Sequence, residues 1–381
     1  MRITIVTGFF LPVPPLAGGA TERSWHGLAN HFAREGHEVT LVSRRWPGLP
    51  DLEQAGSLRH IRIEGFGHRR SLAANLLLDL LWGLRVTAKL PASDIVICNT
   101  ISLPVWLGWV RRSAGKVVVL IGRMPKGQTL LYQRVSRVYV PSSSVLPAIA
   151  PQSVASRTRV VGYPIEWGIL ARGAARDPKV VSIGFVGRLH PEKGLALLVR
   201  AAVLLSERSG LPPWRLVMTG PSSVQQGGGG EAWLAGLKES AAPLGSSVSW
   251  MDPVFGMQEL AATYRSLDIF CYPSVSERGE TFGVAVAEAM AAECAVVVSA
   301  LDCFRDLVKD KQTGLVFDHK GDDPAALLAR ALESLLVDRH ARDGLAHNGQ
   351  EAARAYDYPE VASKMLADFA VLAGERRRNQ A

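Results

Sequence analysis

The sequence predicts an α/β protein made of two doubly wound, Rossmann-like domains in series. Three observations lead there. Short valine- and isoleucine-rich runs alternate with helical stretches, as in parallel sheets covered on both faces. The alternation breaks at a small, polar segment near the middle of the chain and then starts again. Finally, 381 residues, 48% hydrophobic and 20% charged, supply enough apolar surface for two cores, so the length favours two domains over one.

The first domain is expected over residues 1–165. It opens with the strand ITIV, a Pro/Gly loop GFFLPVPPLAGGATER and a helix from about Glu22 to Arg34. EGHEVTLVS then supplies a helix stop and a second strand, and together these form a βαβ unit. ASDIVICNT and GKVVVLI continue the strand series. Between them SLAANLLLDLLWGL, residues 71–84, is too short to span a bilayer. It is either a membrane-surface helix or, the favoured reading, a buried or half-buried helix, with Arg69, Arg70, Arg85 and Lys89 at its ends.

After RVVGYPIEWG the composition shifts to the small, polar ILARGAARDPK, and a linker is expected over residues 166–178. The second domain, 179–357, runs through strand VVSIGFVG, helix GLALLVRAAVLLSE, strands WRLVMTG and VSWMD, helix MQELAATYRSL, strand DIFCYPS, a helix after SERGETFG, and strand CAVVVSA. VQQGGGGEAWL reads as a mobile surface loop. The last segment, about 358–381, contains an amphipathic helix, YPEVASKMLADFAVLAGERRR.

Composition narrows the classes of function. No run of about eighteen uncharged apolar residues occurs and MRITIVTGFF lacks a secretory signal core, so a cytoplasmic location is expected. Cys98, Cys271, Cys294 and Cys303 are scattered without CxxC spacing, which predicts buried thiols rather than a zinc site or a disulfide framework. Residues 1–165 carry 20 Lys/Arg against 8 Asp/Glu, whereas residues 166–381 carry 23 against 27. A basic first half suits an anionic membrane leaflet, a phosphorylated acceptor or nucleic acid, or is a solvated surface with surplus arginine.

The stretch SERGETFGVAVAEAMAAE, residues 276–293, carries the most chemistry. A strand end and a glycine loop lead into an alanine-rich helix, whose N-terminus offers unpaired amides and the positive end of the macrodipole. Backbone around Phe282, Gly283 and Val284 can therefore hold a diphosphate. Glu288, a little over one turn on, is placed to accept from the vicinal hydroxyls of a ribose, and Glu280, in the loop, from a second polyol. The ligand so framed is a nucleotide sugar. Taken alone, two glutamates eight apart are as readily a helix cap and an exposed residue.

GFVGRLHPEKGLALLVRAA, residues 184–202, is a second signal. A strand ends at Val186, Gly187 turns, and Arg188 and Lys193 leave the carboxyl edge of the sheet, where open α/β sheets bind ligands. Arg188 can grip two oxygens of a diphosphate and Lys193 acts as a point charge. A third and weaker signal is the pair Gly18 and Gly19 before ATERSWHGLA, a second helix mouth able to approach phosphate or acceptor.

These motifs in this order resemble the retaining nucleotide-sugar glycosyltransferases of the GT-B fold, the group 1 type that includes bacterial lipopolysaccharide and exopolysaccharide transferases. The resemblance runs through AGGATER, EGHEV, YPIE, FVGRLHPEKG, DIFCYPS, the E-x7-E run and QTGLVF at 312–317. It implies two Rossmann-like domains facing each other across a cleft, with the last helix crossing back onto the first domain. It implies hexose transfer from a UDP- or GDP-sugar to a glycan or lipid-linked acceptor, with retention, without metal or cofactor, and with no nucleic acid partner. Arg188, Lys193 and Glu280 take the catalytic roles, and Glu288 that of the ribose-binding acid. Peripheral attachment at the inner face of the cytoplasmic membrane and a place in cell-surface polysaccharide or glycoconjugate synthesis are the matching expectations.

Two departures stand out. Glu293 and Ala295 occupy positions where the family commonly has glycine and proline. The first domain also offers no clear equivalent of the family's histidine near the sugar, only Asn99 and Thr100 in IVICNT and Arg123 and Lys126 in LIGRMPKGQ. Asn99, Arg123 and Lys126 either line the acceptor side, or MPKGQ is a plain turn. Among other classes, a nicotinamide enzyme needs G-x-G-x-x-G after a strand, and GFGHRR at 65–70 lacks the third glycine. A catalytically silent subunit of the same fold and a nucleotide-sugar epimerase remain as alternatives.

Overall fold

The computed structural model describes residues 1–16, 19–67, 69, 71–173 and 176–378. The chain divides into two units, Met1–Pro164 with the segment from Tyr358 onward, and Ile165–Asp357.

The first unit carries β1 (Arg2–Val6), α1 (Ala20–Arg34), β2 (Glu38–Arg44), β3 (Leu52–Ala55), β4 (Leu58–Ile63), α2 (Leu72–Lys89), β5 (Ile95–Cys98), α3 (Leu103–Val110), β6 (Lys116–Leu120), β7 (Arg137–Val140), α4 (Gln152–Ala155) and β8 (Thr158–Val160). Its sheet has the order β3-β4-β2-β1-β5-β6-β7-β8. Every pairing is parallel except that of β3 with β4 at one edge. Side chains alternate between the faces of a strand, and two cores result. Ile3, Ile5, Ile95, Ile97 and Val118 pack with Trp25, Leu28 and Phe32 of α1. Val6, Val96, Cys98, Val117 and Val119 pack on the other face with Trp82 and Val86 of α2 and Leu103 and Leu107 of α3.

The second unit carries α5 (Trp167–Leu170), β9 (Val181–Val186), α6 (Leu195–Ser206), β10 (Trp214–Thr219), α7 (Glu231–Ser240), β11 (Val248–Met251), α8 (Met257–Arg265), β12 (Ile269–Tyr272), α9 (Val284–Ala291), β13 (Ala295–Ser299), β14 (Leu315–Phe317), α10 (Pro324–Val337) and α11 (Arg339–Ala353). All six strands are parallel, in the order β11-β10-β9-β12-β13-β14. The chain then enters α12 (Tyr358–Arg378), which returns to the first unit. There Tyr358, Val361, Ala362, Met365 and Phe369 join the α1 core, and Asp368 accepts two bonds from Arg137, both 2.7 Å, and one from the Tyr139 hydroxyl at 2.6 Å.

Two sequence expectations are corrected. Residues 166–178 contain α5 instead of a free linker. Trp167 donates from its indole to the Gln350 carbonyl at 3.2 Å, Leu170 is buried, and Arg176 donates to the Leu267 carbonyl at 2.9 Å, so the segment folds onto the second unit. The glycine run is also tied down, because the amides of Gly228, Gly229 and Gly230 donate to the carbonyls of Ser223, Leu189 and Ser222, each at 2.8 Å. Helix α2 is half-buried, within the favoured expectation: Asp79, Trp82, Gly83 and Val86 form its buried face and Leu78 packs on the core, while its other six leucines face outward. The four cysteines are free and buried, as expected. Among the described residues no helix is long and apolar enough to cross a membrane.

Candidate active site

In the second sheet the chain leaves β9 through α6 toward β10 on one side and leaves β12 through α9 toward β13 on the other. The crevice at the carboxyl ends of β9 and β12 is therefore a topological switch point, the place where such sheets receive ligands. Gly187, Arg188 and Lys193 follow β9, and Pro273, Ser274 and Glu280 follow β12.

The turn that delivers Lys193 is a short 3-10 segment, Pro191–Lys193, capped by His190 Nδ1, which accepts from the Glu192 amide at 3.2 Å. Gly194 ends it with φ 68°, and a Cβ there would lie 1.9 Å from the Pro273 carbonyl oxygen, so this position needs glycine on both counts. Lys193 is buried and its ammonium is ion-paired with Glu280 Oε1. The Tyr272 hydroxyl donates to the same oxygen at 3.0 Å and Ser274 Oγ at 3.3 Å. Burial, reinforced by the Glu280 carboxylate, holds the Tyr272 phenol well above its ordinary pKa, so it stays a donor. With all three donors on Oε1, no described residue donates to Oε2, which is available to a ligand hydroxyl.

Arg188 is half-exposed and bonded to Glu192 Oε1 at 2.8 Å, and it also donates to the Gly227 carbonyl. Gly187 ends β9, its amide donating to the Thr219 carbonyl at 3.0 Å. Each of the two cations expected to meet a diphosphate thus has its own carboxylate partner, Glu192 for Arg188 and Glu280 for Lys193.

Gly283 is the N-cap of α9, with φ 92°, and a Cβ there would meet the Phe304 ring at 2.6 Å. The helix mouth is therefore shaped by glycine, while Val284 behind it is only half-buried. Phe282 is buried, its ring 5.1 Å from that of Tyr356 and roughly perpendicular to it, so only its backbone faces the mouth's chemistry. Glu288 lies in the second turn, buried, with Oε2 accepting from the Tyr264 hydroxyl of α8 at 3.0 Å.

The remaining predicted residues lie in the first unit. Gly19 is the N-cap of α1 with φ 99°, and Gly18 falls outside the described residues. Asn99 follows β5, its amide donating to the Val6 carbonyl at 2.8 Å. Lys126 is exposed in a loop, its amide donating to Gln128 Oε1 at 2.7 Å. Arg123 is exposed and acts electrostatically on two buried groups, Glu22 and Tyr163. Burial raises the Glu22 carboxyl above its usual range and Arg123 opposes that rise.

The structure thus joins Gly187, Arg188, Lys193 and Glu280 at one crevice and sets Phe282, Gly283, Val284 and Glu288 along the adjoining helix. Four partners were missed: Glu192, Tyr272, Ser274 and Tyr264. The first three sit inside stretches already singled out, PEKG and CYPS, where polar residues beside a predicted site were the available signal. Among the described residues no three His, Cys, Asp or Glu side chains come together as a metal site.

The chain resembles known proteins in sequence and in fold. The family described as glycosyl transferases group 1 matches residues 172–352, and glycosyltransferase family 4 matches residues 17–165. Phosphatidyl-myo-inositol mannosyltransferase of Mycolicibacterium smegmatis is 30% identical over 98% of this chain and 95% of its own length. Its namesake from Mycobacterium tuberculosis H37Rv is 29% identical over 100% and 99%. The structure of sucrose-phosphate synthase from Thermosynechococcus elongatus superposes with a TM-score of 0.80 at 20% identity, covering 98% of this chain and 100% of that one. Two Rossmann-like units, the crevice at β9 and β12, and these full-length matches lead to one conclusion: the chain is a glycosyltransferase that belongs to the group 1 family, with the GT-B fold.

Proposed function

We propose that the enzyme moves a hexose from a nucleoside diphosphate sugar to a hydroxyl of a lipid-borne polyol, with retention at the anomeric carbon and without a metal ion or resident cofactor. The observation that carries this reading is the buried Lys193–Glu280 pair beside the mouth of α9. A buried ammonium whose carboxylate partner keeps one oxygen unengaged suits a ligand that is diphosphate at one end and polyol at the other. Lys193, Arg188 and the first-turn amides of α9 take the diphosphate charge, Glu280 Oε2 accepts from the hexose, and Glu288 accepts from the ribose.

In the transfer the bond between the anomeric carbon and the diphosphate oxygen breaks, the acceptor oxygen bonds to that carbon from the same face, and its proton passes to the departing diphosphate. Negative charge develops on the diphosphate, which is where Arg188 and Lys193 act. The names of the full-length relatives favour mannose as cargo and an inositol lipid as acceptor.

The test is release of nucleoside diphosphate from a panel of UDP- and GDP-hexoses with phosphatidylinositol vesicles, with the product anomer read by NMR. Transfer with retention that persists in EDTA is expected. An inverted anomer, loss of activity in EDTA, or sugar isomerisation without diphosphate release each overturns the corresponding part.

A further inference from the structure

Helix α2 is an inverted amphipath. Asp79, Trp82, Gly83 and Val86 form its buried face, whereas Leu72, Leu76, Leu77, Leu80, Leu81 and Leu84 form one outward stripe, each between 39% and 63% exposed. The orientation is locked. Asp79 Oδ2 accepts from the Ser102 amide at 2.7 Å and hydroxyl at 2.6 Å, and the Trp82 indole donates to the Thr7 carbonyl at 3.1 Å. Gly83 faces α3, where a Cβ would lie 3.1 Å from the Trp106 ring. Rolling the leucines inward would strand those polar groups, so the stripe needs a partner from outside the chain.

Charge selects the partner. Arg69, Arg85 and Lys89 are exposed around the stripe, and the only acid in α2, Asp79, points inward. Arg85 is held in place, donating to the Glu64 carbonyl at 2.8 Å and lying 4.6 Å over the Phe66 ring. Two copies pairing through this stripe would bring the like charges of α2 together, and α2 itself carries no outward carboxylate to offset them, the exposed Glu64 beside Arg85 being the nearby acid. An anionic bilayer satisfies both features, because leucines enter the acyl boundary while arginine and lysine meet headgroup phosphates. Beside α2, Trp109 and Val110 are also exposed at the end of α3, with Arg134 4.0 Å over the Trp109 ring, a combination suited to the headgroup layer.

We infer that the leucine face of α2 is the membrane-docking surface of this enzyme and that it lies in the plane of an anionic leaflet. The inference deepens the lipid-acceptor reading, on which its purpose rests, but vesicle binding is measured without turnover, so the two can fail separately.

The experiment is co-flotation of the full chain with vesicles of equal phosphatidylglycerol and phosphatidylcholine, compared with phosphatidylcholine alone. Binding to the anionic vesicles is expected. The doubly substituted Leu77→Gln, Leu81→Gln chain should partition at least about tenfold less, with unchanged circular dichroism and unchanged donor hydrolysis in solution. Lys89→Glu should weaken binding about two- to fivefold in low salt and much less in 0.5 M NaCl. The inference is overturned if the wild-type chain does not float with anionic vesicles, if the double leucine variant floats as well as wild type, or if the leucines prove to hold a dimer that the substitutions dissociate. Transfer to phosphatidylinositol in the absence of flotation would sink this inference and leave the acceptor reading standing.

Discussion

Lys193 and Glu280, 87 residues apart in sequence, form a buried ion pair at the carboxyl edge of the second sheet, and Tyr272 and Ser274 donate to the same carboxylate oxygen. Removing one partner leaves a buried charge uncompensated, which costs about 3–5 kcal/mol, whereas removing both at similar volume costs far less. Lys193→Met and Glu280→Gln should each lower the melting temperature, and the double substitution should recover most of the loss. Donor turnover should fall at least about 100-fold in all three, because under the proposed function the cation and carboxylate also serve the reaction. Melting curves and initial rates on the same samples check it. Recovery of turnover together with stability in the double variant would show the pair to be structural only.

The strand-turn-helix spacing around Gly187, Lys193 and Gly283 made the site legible, since local geometry alone brings those residues to the carboxyl edge. Pairing was not legible. That Glu192 takes Arg188, and that Tyr264 reaches Glu288 from α8, depends on where separate helices settle on the sheet. The leucine run of α2 has the same helical period whichever face is buried, and only Asp79 and Trp82, through partners at Ser102 and Thr7, decide that it points outward. ILARGAARDPK read as a linker because small and polar residues dominate it, yet Leu170 within it and Trp167 just before it are enough to dock it. Strands β4 and β7, LRHIRI and RVYV, were passed over because interspersed arginines disguise buried positions; the Arg62 side chain is wholly buried and ion-paired with Glu53 at 2.7 Å.

In the proposed donor site, Glu192 would compete with a diphosphate for Arg188. The pair is partly exposed, and contacts of this kind contribute up to about 1 kcal/mol. Glu192→Gln should therefore tighten nucleoside diphosphate binding about two- to fivefold, measured by isothermal calorimetry with UDP and GDP. Weaker binding would mean that Glu192 orients Arg188 toward the ligand and does not restrain it.

The family's glycine after α9 has a visible cause. Glu293 adopts φ 61°, its amide donates to the Met290 carbonyl at 2.9 Å and that of Cys294 to the Ala289 carbonyl at 3.0 Å, which is a Schellman closure with a side chain where glycine belongs. A non-glycine residue in the left-handed region costs roughly 1 kcal/mol. Glu293→Gly should raise stability by about 0.5–1 kcal/mol in denaturant titrations, with donor kinetics unchanged. An unchanged or lower midpoint would mean that the glutamate side chain makes good the backbone strain.

His60 gives stability a dependence on pH. Its ring is buried on β4 with Nδ1 unpartnered, and burial first, then the neighbouring Arg62, push its pKa down to about 4. His26, its ring 6.2 Å away, is shifted in the same direction, and Glu53 opposes both shifts. Above about pH 6.5 the imidazole is neutral whether the chain is folded or not, so its contribution is complete there. Below that the unfolded chain takes up a proton that the folded chain refuses, and stability falls progressively until about pH 4, by on the order of 2–3 kcal/mol from this group. His60→Gln should remove that part of the slope: the difference in unfolding free energy between wild type and variant, measured by urea titration from pH 7.5 to 4.5, should shift in favour of the variant as the pH falls. A difference that stays constant across the range would place the His60 proton equilibrium at its ordinary value and discard the burial argument.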